Sequence, residues 1–213
     1  EYIAGETLGE IIRRRAPWAL GRRLELIIDA RKGPGYAHKH GVVHRDLKPS
    51  NVLTGAFGEV QVVDWGFAKV LGTGRPEPPT PRERGPADHT LIRTVRSGSS
   101  GSTSMAGSVM GTPAYMAPEQ AAGDPTTDHR ADPYALGIGA WEMLSGTAPF
   151  HGLSPQQVMA SHVVKTPPSI SSRRYDVPAA FAEVIDQLLQ KEPRNRPKYA
   201  ADLIRMLDDP AVS

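Results

Sequence analysis

The stretch His44-Arg45-Asp46-Leu47-Lys48-Pro49-Ser50-Asn51 decides the reading of this chain. It gathers a carboxylate, a primary amine and a carboxamide into one short polar run. Val42-Val43 precedes it and Val52-Leu53 follows it. Short β-branched and aliphatic runs around a polar segment read as strands flanking a loop. Any single polar residue of the octet could belong to an ordinary solvated turn. The ordered string is what carries information.

Working outward, residues 6–15 read as a short helix with Leu8, Ile11 and Ile12 on one face. A second helix starts near Pro17-Trp18, with Leu20, Leu24, Ile27 and Ile28 at helical spacing. Gly33-Pro34-Gly35 interrupts it, because an interior proline costs ~3 kcal/mol and each glycine ~1 kcal/mol relative to alanine. Val42-Val43 is a short strand. Residues 51–53 and 60–63 form two more, joined by Gly55-Ala56-Phe57-Gly58 as a hairpin. Residues 72–110 are rich in Gly, Pro, Ser, Thr and Arg and poor in large apolar side chains. Such a stretch cannot offset its ordering entropy by burial and reads as a long flexible insert.

From Ala131 the pattern turns helical again. Tyr134, Leu136, Ile138, Trp141, Met143 and Leu144 are apolar nearly all round, as in a buried central helix. Asp132 can cap its start, Pro133 is tolerated in its first turn and Gly146 can end it. Further helices follow at about 155–163, 179–191 and 199–208. Trp18, Trp141 and Phe150 read as core, the last packing back from the loop Gly146-Thr147-Ala148-Pro149-Phe150.

Bulk properties exclude several classes. The 213 residues suffice for one domain with a real core. A net charge of +2 gives no case for nucleic acid. The arginines at 13–15 and at 22 and 23 read as solvated helix faces. With no cysteine, neither a disulfide nor a thiolate metal site can form, which fits a cytoplasmic setting. No apolar run approaches the ~20 residues of a membrane span. His38 and His40 look like surface residues near a helix end, not metal ligands.

Four more strings occur in order after the octet: Asp64-Trp65-Gly66; Gly111-Thr112-Pro113-Ala114-Tyr115-Met116-Ala117-Pro118-Glu119; Ala131-Asp132-Pro133-Tyr134-Ala135-Leu136-Gly137; and Glu192-Pro193-Arg194-Asn195-Arg196-Pro197. Together with the octet they resemble, element by element, the carboxy-terminal lobe of a bacterial serine/threonine protein kinase of the eukaryotic-like type. The implied fold is α+β and mainly α: a helical bundle with short β-hairpins that carry the catalytic and metal-binding loops. The resemblance covers residues 1–208, with an activation segment at 64–119 that contains the insert and a short tail after 208.

The resemblance also implies roles. Asp46 would accept or orient the proton of the attacking hydroxyl, and Lys48 would neutralise the transferring phosphate. Thr112 would bond both. Asn51 and Asp64 would supply oxygens to Mg²⁺, which favours hard ligands and keeps several waters. ATP would lie against Lys48, Asn51, Leu53 and Asp64, with Glu1 and Ile3 as the hinge facing adenine. His44, Arg45, Gly66, Glu119, Asp132 and Arg196 would be structural supports: Asp132 accepting from the catalytic-loop backbone, and Arg196 pairing with Glu119. Arg45 would receive a phosphate from the activation segment, with Ser108 first and Thr103 second as candidates.

No glycine-rich phosphate loop and no strand lysine precede residue 44. The amino-terminal lobe therefore reads as absent, and an apolar seam near Val52, Leu53 and Val63 should be exposed. The expected activity is phosphorylation of protein Ser or Thr, weak or nil for these residues alone. The alternative is a catalytically silent, kinase-like module that binds partners.

Overall fold

The computed structural model describes residues 5–71 and 111–197. The chain enters as strand β1 (Gly5–Thr7) and turns into helix α1 (Leu8–Arg13). Thr7 caps α1: its hydroxyl accepts from the Glu10 amide at 3.1 Å while the Glu10 carboxylate accepts from the Thr7 amide at 2.8 Å. Residues 6 and 7 thus leave the helix expected over 6–15. They pair instead with β3 (Val52–Gly55), at Glu6↔Thr54 and Thr7↔Leu53. That pairing is non-local, and helical periodicity cannot report it.

Helix α2 (Leu20–Ala30) buries Leu26 and Ile27. Helix α3 (Lys32–Lys39) follows after a break at Arg31. Gly33-Pro34-Gly35 is not the interruption that its composition suggested. Pro34 lies in the first turn of α3, where a missing N–H costs nothing because that donor has no helical partner. A Cβ on Gly33 would come within 3.3 Å of Val62, so the bare backbone lets α3 approach the hairpin.

Strand β2 (Val42–Val43) pairs with β5 (Lys69–Val70), while β3 pairs with both β1 and β4 (Val60–Val62) in an antiparallel sheet of order β1-β3-β4. Strand β5 escaped the sequence reading, being two residues whose partner lies a hairpin away. Asn51 belongs to a 3-10 turn (Pro49–Asn51), not to a strand.

Beyond Gly111 come a 3-10 turn (Pro113–Tyr115), helix α4 (Pro118–Ala121) and helix α5 (Ala131–Ser145). Twelve of the fifteen α5 residues are buried, as its all-round apolar sequence requires. Gly146 ends it at φ 87°, in the left-handed region that glycine adopts freely. Asp132 does not cap α5. It sits inside the helix with its carboxylate turned to another part of the chain. Helix α6 (Pro155–Val164) packs on α4 and the Pro113–Tyr115 turn, and helix α7 (Ala179–Leu188) packs on α5.

Three further expectations are corrected. Arg23 is not on a solvated face: it donates to Met143 O at 2.6 Å, Ala16 O at 3.1 Å and Trp18 O at 3.3 Å. With Arg174, which donates to Leu144 O at 2.7 Å, it satisfies the carbonyls left open at the end of α5. His38 is 6% exposed rather than superficial, because α3 turns it toward α5. The apolar seam is not found at Val52, which is 3% exposed beneath α1, while Leu53 and Val63 are half-buried. The helix expected at 199–208 lies outside the described residues.

Glu119 and Arg196 lock the lower half of the molecule. Both oxygens of Glu119 accept from Arg196, each at 2.7 Å. The remaining Arg196 donors go to the carbonyls of Gln190, Arg130 and Lys191 at 2.7, 2.9 and 2.8 Å. The Arg196 side chain is 0% exposed and that of Glu119 is 7% exposed. Replacing Arg196 by Ala strands the carboxylate, and the urea midpoint should fall by an amount equivalent to about 3–5 kcal/mol. A second expectation concerns Gly137, whose added Cβ would meet Leu188 Cβ at 2.8 Å and Leu189 Cδ2 at 3.0 Å. Gly137→Ala should cost about 1–3 kcal/mol in the same measurement, despite its gain in helix propensity.

Candidate active site

The site is built on the backbone of the octet, held from below by Asp132. One Asp132 oxygen accepts from the His44 amide at 2.9 Å and the other from the Arg45 amide at 2.9 Å. The first oxygen also bonds His38 Nε2 at 2.7 Å. Arg45 adopts φ 69°, a left-handed conformation that costs energy for a residue with a Cβ. Gln120 Nε2 donates to the Arg45 carbonyl at 2.9 Å, so the strained residue is held at both ends of its peptide unit.

That bend presents Asp46 to three neighbours. Thr112 donates to Asp46 Oδ1 through its amide and its hydroxyl, each at 2.8 Å. Lys48 Nζ donates to Asp46 Oδ2 at 2.6 Å and to Thr112 Oγ1 at 2.8 Å, closing a triangle of carboxylate, ammonium and hydroxyl. Asp46 is buried while Lys48 keeps partial access to solvent. Asn51 Nδ2 donates to the Asp46 carbonyl at 3.0 Å, which leaves Asn51 Oδ1 as a free acceptor.

Asp64 reaches the site through the hairpin. The Val63 amide donates to Asn51 O at 2.9 Å, so Asp64 is the next residue after a direct tie to the octet. Its φ of 59° is again left-handed, and its exposed carboxylate takes part in no ion pair or hydrogen bond among the described residues. Gly66 allows the turn that follows: a Cβ there would stand 3.3 Å from Asp64 Oδ1.

His44 ties these parts together and is 0% exposed. The Asp46 amide donates to its Nδ1 at 3.3 Å, so the proton resides on Nε2, which donates to Val63 O at 3.0 Å. Trp65 lies against the His44 ring, centroids 4.6 Å apart, and anchors its own Nε1 on Val62 O at 3.0 Å.

The donor set suits Mg²⁺. A free amide oxygen on Asn51 and an unpaired Asp64 carboxylate are hard ligands on adjoining loops, with solvent access for the waters that this ion retains. Among the described residues no cluster of three His, Cys, Asp or Glu forms a closed metal cage. A bound Mg²⁺ would neutralise phosphate charge. Glu1, Ile3, Thr103 and Ser108 lie outside the described residues. Leu53 lies half-buried on β3, paired with Thr7 and Gln61.

Beside the triangle, Tyr115 donates to Glu142 at 2.6 Å. Burial, then the charge of Glu142, raises the Tyr115 phenol above its ordinary range. Burial likewise raises the Glu142 carboxyl, against the Tyr115 bond. The two face a cleft of about 360 Å³ that also has Phe150, Leu153 and Val158 on its wall. His162 of α6 was not singled out by sequence, since a lone histidine in a helical segment carries no signal. It is 0% exposed and bonds Tyr134 OH at 2.9 Å and Ala114 O at 3.0 Å.

Comparison with known proteins follows the same lines. The family described as "Protein kinase domain" matches residues 1–206. The chain is 36% identical over 211 residues to "Serine/threonine-protein kinase PknB" of Mycolicibacterium smegmatis, covering 97% of this chain and 29% of that protein. It is 34% identical over 203 residues to the protein of the same name from Mycobacterium tuberculosis, with 95% and 28% covered. Against "Probable serine/threonine-protein kinase PknB" of Lactococcus lactis it is 34% identical over 213 residues, with 100% and 29% covered. It thus spans under a third of the length of these bacterial relatives. The chain belongs to the protein kinase domain family.

Proposed function

We propose that this chain carries the phosphotransfer centre of an ATP- and Mg²⁺-dependent protein serine/threonine kinase. The observation that supports this most is the closed triangle of Asp46, Lys48 and Thr112, with Asn51 hooked to the Asp46 carbonyl. Asp46 accepts two bonds on Oδ1 and one on Oδ2, and the less occupied Oδ2 keeps a lone pair for an incoming hydroxyl. In the proposed reaction the acceptor Ser or Thr oxygen attacks the γ-phosphorus of ATP. The new O–P bond forms as the bond from that phosphorus to the β,γ-bridging oxygen breaks, and ADP leaves. Asp46 orients the acceptor and takes its proton. Lys48 offsets charge on the transferred group, a positioning and electrostatic task rather than a covalent one.

Arg45 fits a regulatory role in this scheme. Its Nε is buried and has no hydrogen-bond partner among the described residues. A phosphate on the segment containing Thr103 and Ser108 could meet it, adding a charge of about −1.5 to −2. The acceptor peptide would lie over the turn at Pro113–Tyr115. The setting would be the cytoplasm, where ATP and protein acceptors meet. Among the described residues no helix is long and apolar enough to cross a membrane.

We read the described elements as a carboxy-terminal lobe. With no glycine-rich loop before residue 44, the roof over the phosphates would come from elements outside these residues. That same feature favours a second reading, a silent module that binds partners through the kinase fold. Radiolabel transfer from ATP to a Ser/Thr protein separates the two. Residues 1–213 alone should transfer little. A longer protein that includes a glycine-rich loop and a strand lysine should transfer readily, and Asp46→Asn should slow it roughly a hundredfold or more. Equal labelling by the parent and the Asp46→Asn form removes the catalytic reading. In the same protein, Asp64→Asn should raise the Mg²⁺ concentration needed for half-maximal rate, since one of two protein oxygens loses its charge.

A further inference from the structure

We propose that His162 is a positioning residue, whose neutral imidazole braces the turn at Pro113–Tyr115 against the central helix and holds it ready for the acceptor peptide. The role assigned to that turn rests on the kinase reading above; the bracing itself rests on geometry alone.

His162 lies on α6 with a fully buried side chain and makes directed bonds on both ring nitrogens. Nε2 stands 3.0 Å from the carbonyl of Ala114, the middle residue of the turn. A carbonyl can only accept, so Nε2 carries the proton. Nδ1 stands 2.9 Å from Tyr134 OH on α5, and in the neutral ring it accepts from that hydroxyl. The single side chain therefore links three elements: α6, the turn and α5. Tyr134 and Phe150 meet the ring edge-on, with centroids 5.6 and 5.1 Å away. The backbone of the same residue is held as well, since Lys191 Nζ donates to the His162 carbonyl at 2.6 Å.

The charged neighbours all disfavour a second proton on the ring or are engaged elsewhere. The Lys191 ammonium is the nearest cation. Burial, then Arg196, brings Lys191 down to about 8, so it stays largely charged at neutral pH. Glu119 on α4 is held by Arg196 on both oxygens. The Tyr115 hydroxyl is turned to Glu142. Burial lowers the His162 imidazole from 6.5 to about 4, with Lys191 adding to the shift and the Ala114 carbonyl opposing it. Above 6.5 the ring is neutral whether the turn is closed or open, and pH has no leverage. Below that, the open form takes up a proton first, so acid favours opening, and closure is lost as pH falls toward 4. A protonated ring would also keep Nδ1 from accepting the Tyr134 hydroxyl.

Amide hydrogen exchange on the full chain tests this without any phosphotransfer. After correction for intrinsic exchange chemistry, opening of the peptide spanning residues 111–117 should rise about thirtyfold between pH 7.5 and pH 5. The peptide spanning residues 20–30 of α2 serves as internal reference and should change far less. Glutamine can donate to the Ala114 carbonyl, accept from Tyr134 and cannot titrate. His162→Gln should therefore keep the turn protected at both pH values, and His162→Ala should lose that protection already at pH 7.5. Equal protection of the wild-type turn at both pH values overturns the proposal. So does parallel loss in the α2 peptide, which would make His162 a global stabiliser only. So does a pH response in His162→Gln equal to that of the wild type. Should His162→Ala not fold, the wild-type series and the glutamine variant still decide. Failed phosphotransfer by the longer protein that includes a glycine-rich loop and a strand lysine, with an intact pH response here, would overturn the kinase reading and leave the brace standing; the reverse result would remove the brace alone.

Discussion

The site depends on one buried carboxylate. Asp132 takes the amides of His44 and Arg45 and the ring of His38 from inside the central helix. An unpaired carboxylate at 1% exposure would be very costly, and the octet supplies the donors that make it tolerable. The bond works in both directions. Asp132 gains its partners, and the strained backbone at Arg45 gains a support that a surface loop lacks. A helix is rigid over its length, so tying the loop to α5 ties it to the core. Positions of Asp46, Lys48 and Asn51 are then set by packing as well as by local preference.

A similar economy recurs elsewhere. Arg196 spends all five of its donors on Glu119 and three carbonyls, joining α4 to the last described turn. Arg23 and Arg174 close the carbonyl end of α5. His44 links the octet to the hairpin and carries Trp65 on its face. In each case a buried or half-buried polar side chain is tied to groups distant along the chain, which adds specificity of arrangement rather than large net stability. Such ties restrict where the neighbouring side chains can sit, which is what catalysis by positioning requires.

The sequence reading failed where partners were distant along the chain. His38 looked superficial because its helix is short, polar and glycine-bearing; its partner Asp132 lies 94 residues away. Arg23 sat in a basic run and read as solvated, yet its acceptor at Met143 is 120 residues away. Gly33-Pro34-Gly35 read as a breaker because composition cannot tell a helix interior from a first turn. Val52 was assigned to an exposed seam because its cover, helix α1 together with the strand pairing of β3, comes from parts of the chain distant in sequence.

Residue order by itself determined the family. Five ordered motifs, the buried α5 and the hairpin were all legible, because catalytic groups that act together are recognised by type and spacing, and amphipathic or all-apolar periods report local geometry directly. Tertiary structure decided which further polar groups are buried and whom they meet: Asp132 with His38 as well as the loop, Arg23 with α5, and His162 with both Ala114 and Tyr134. The physical reason is that a hydrogen bond is fixed by direction and distance in space, and only the folded chain brings residues 28 to 120 positions apart within 3 Å.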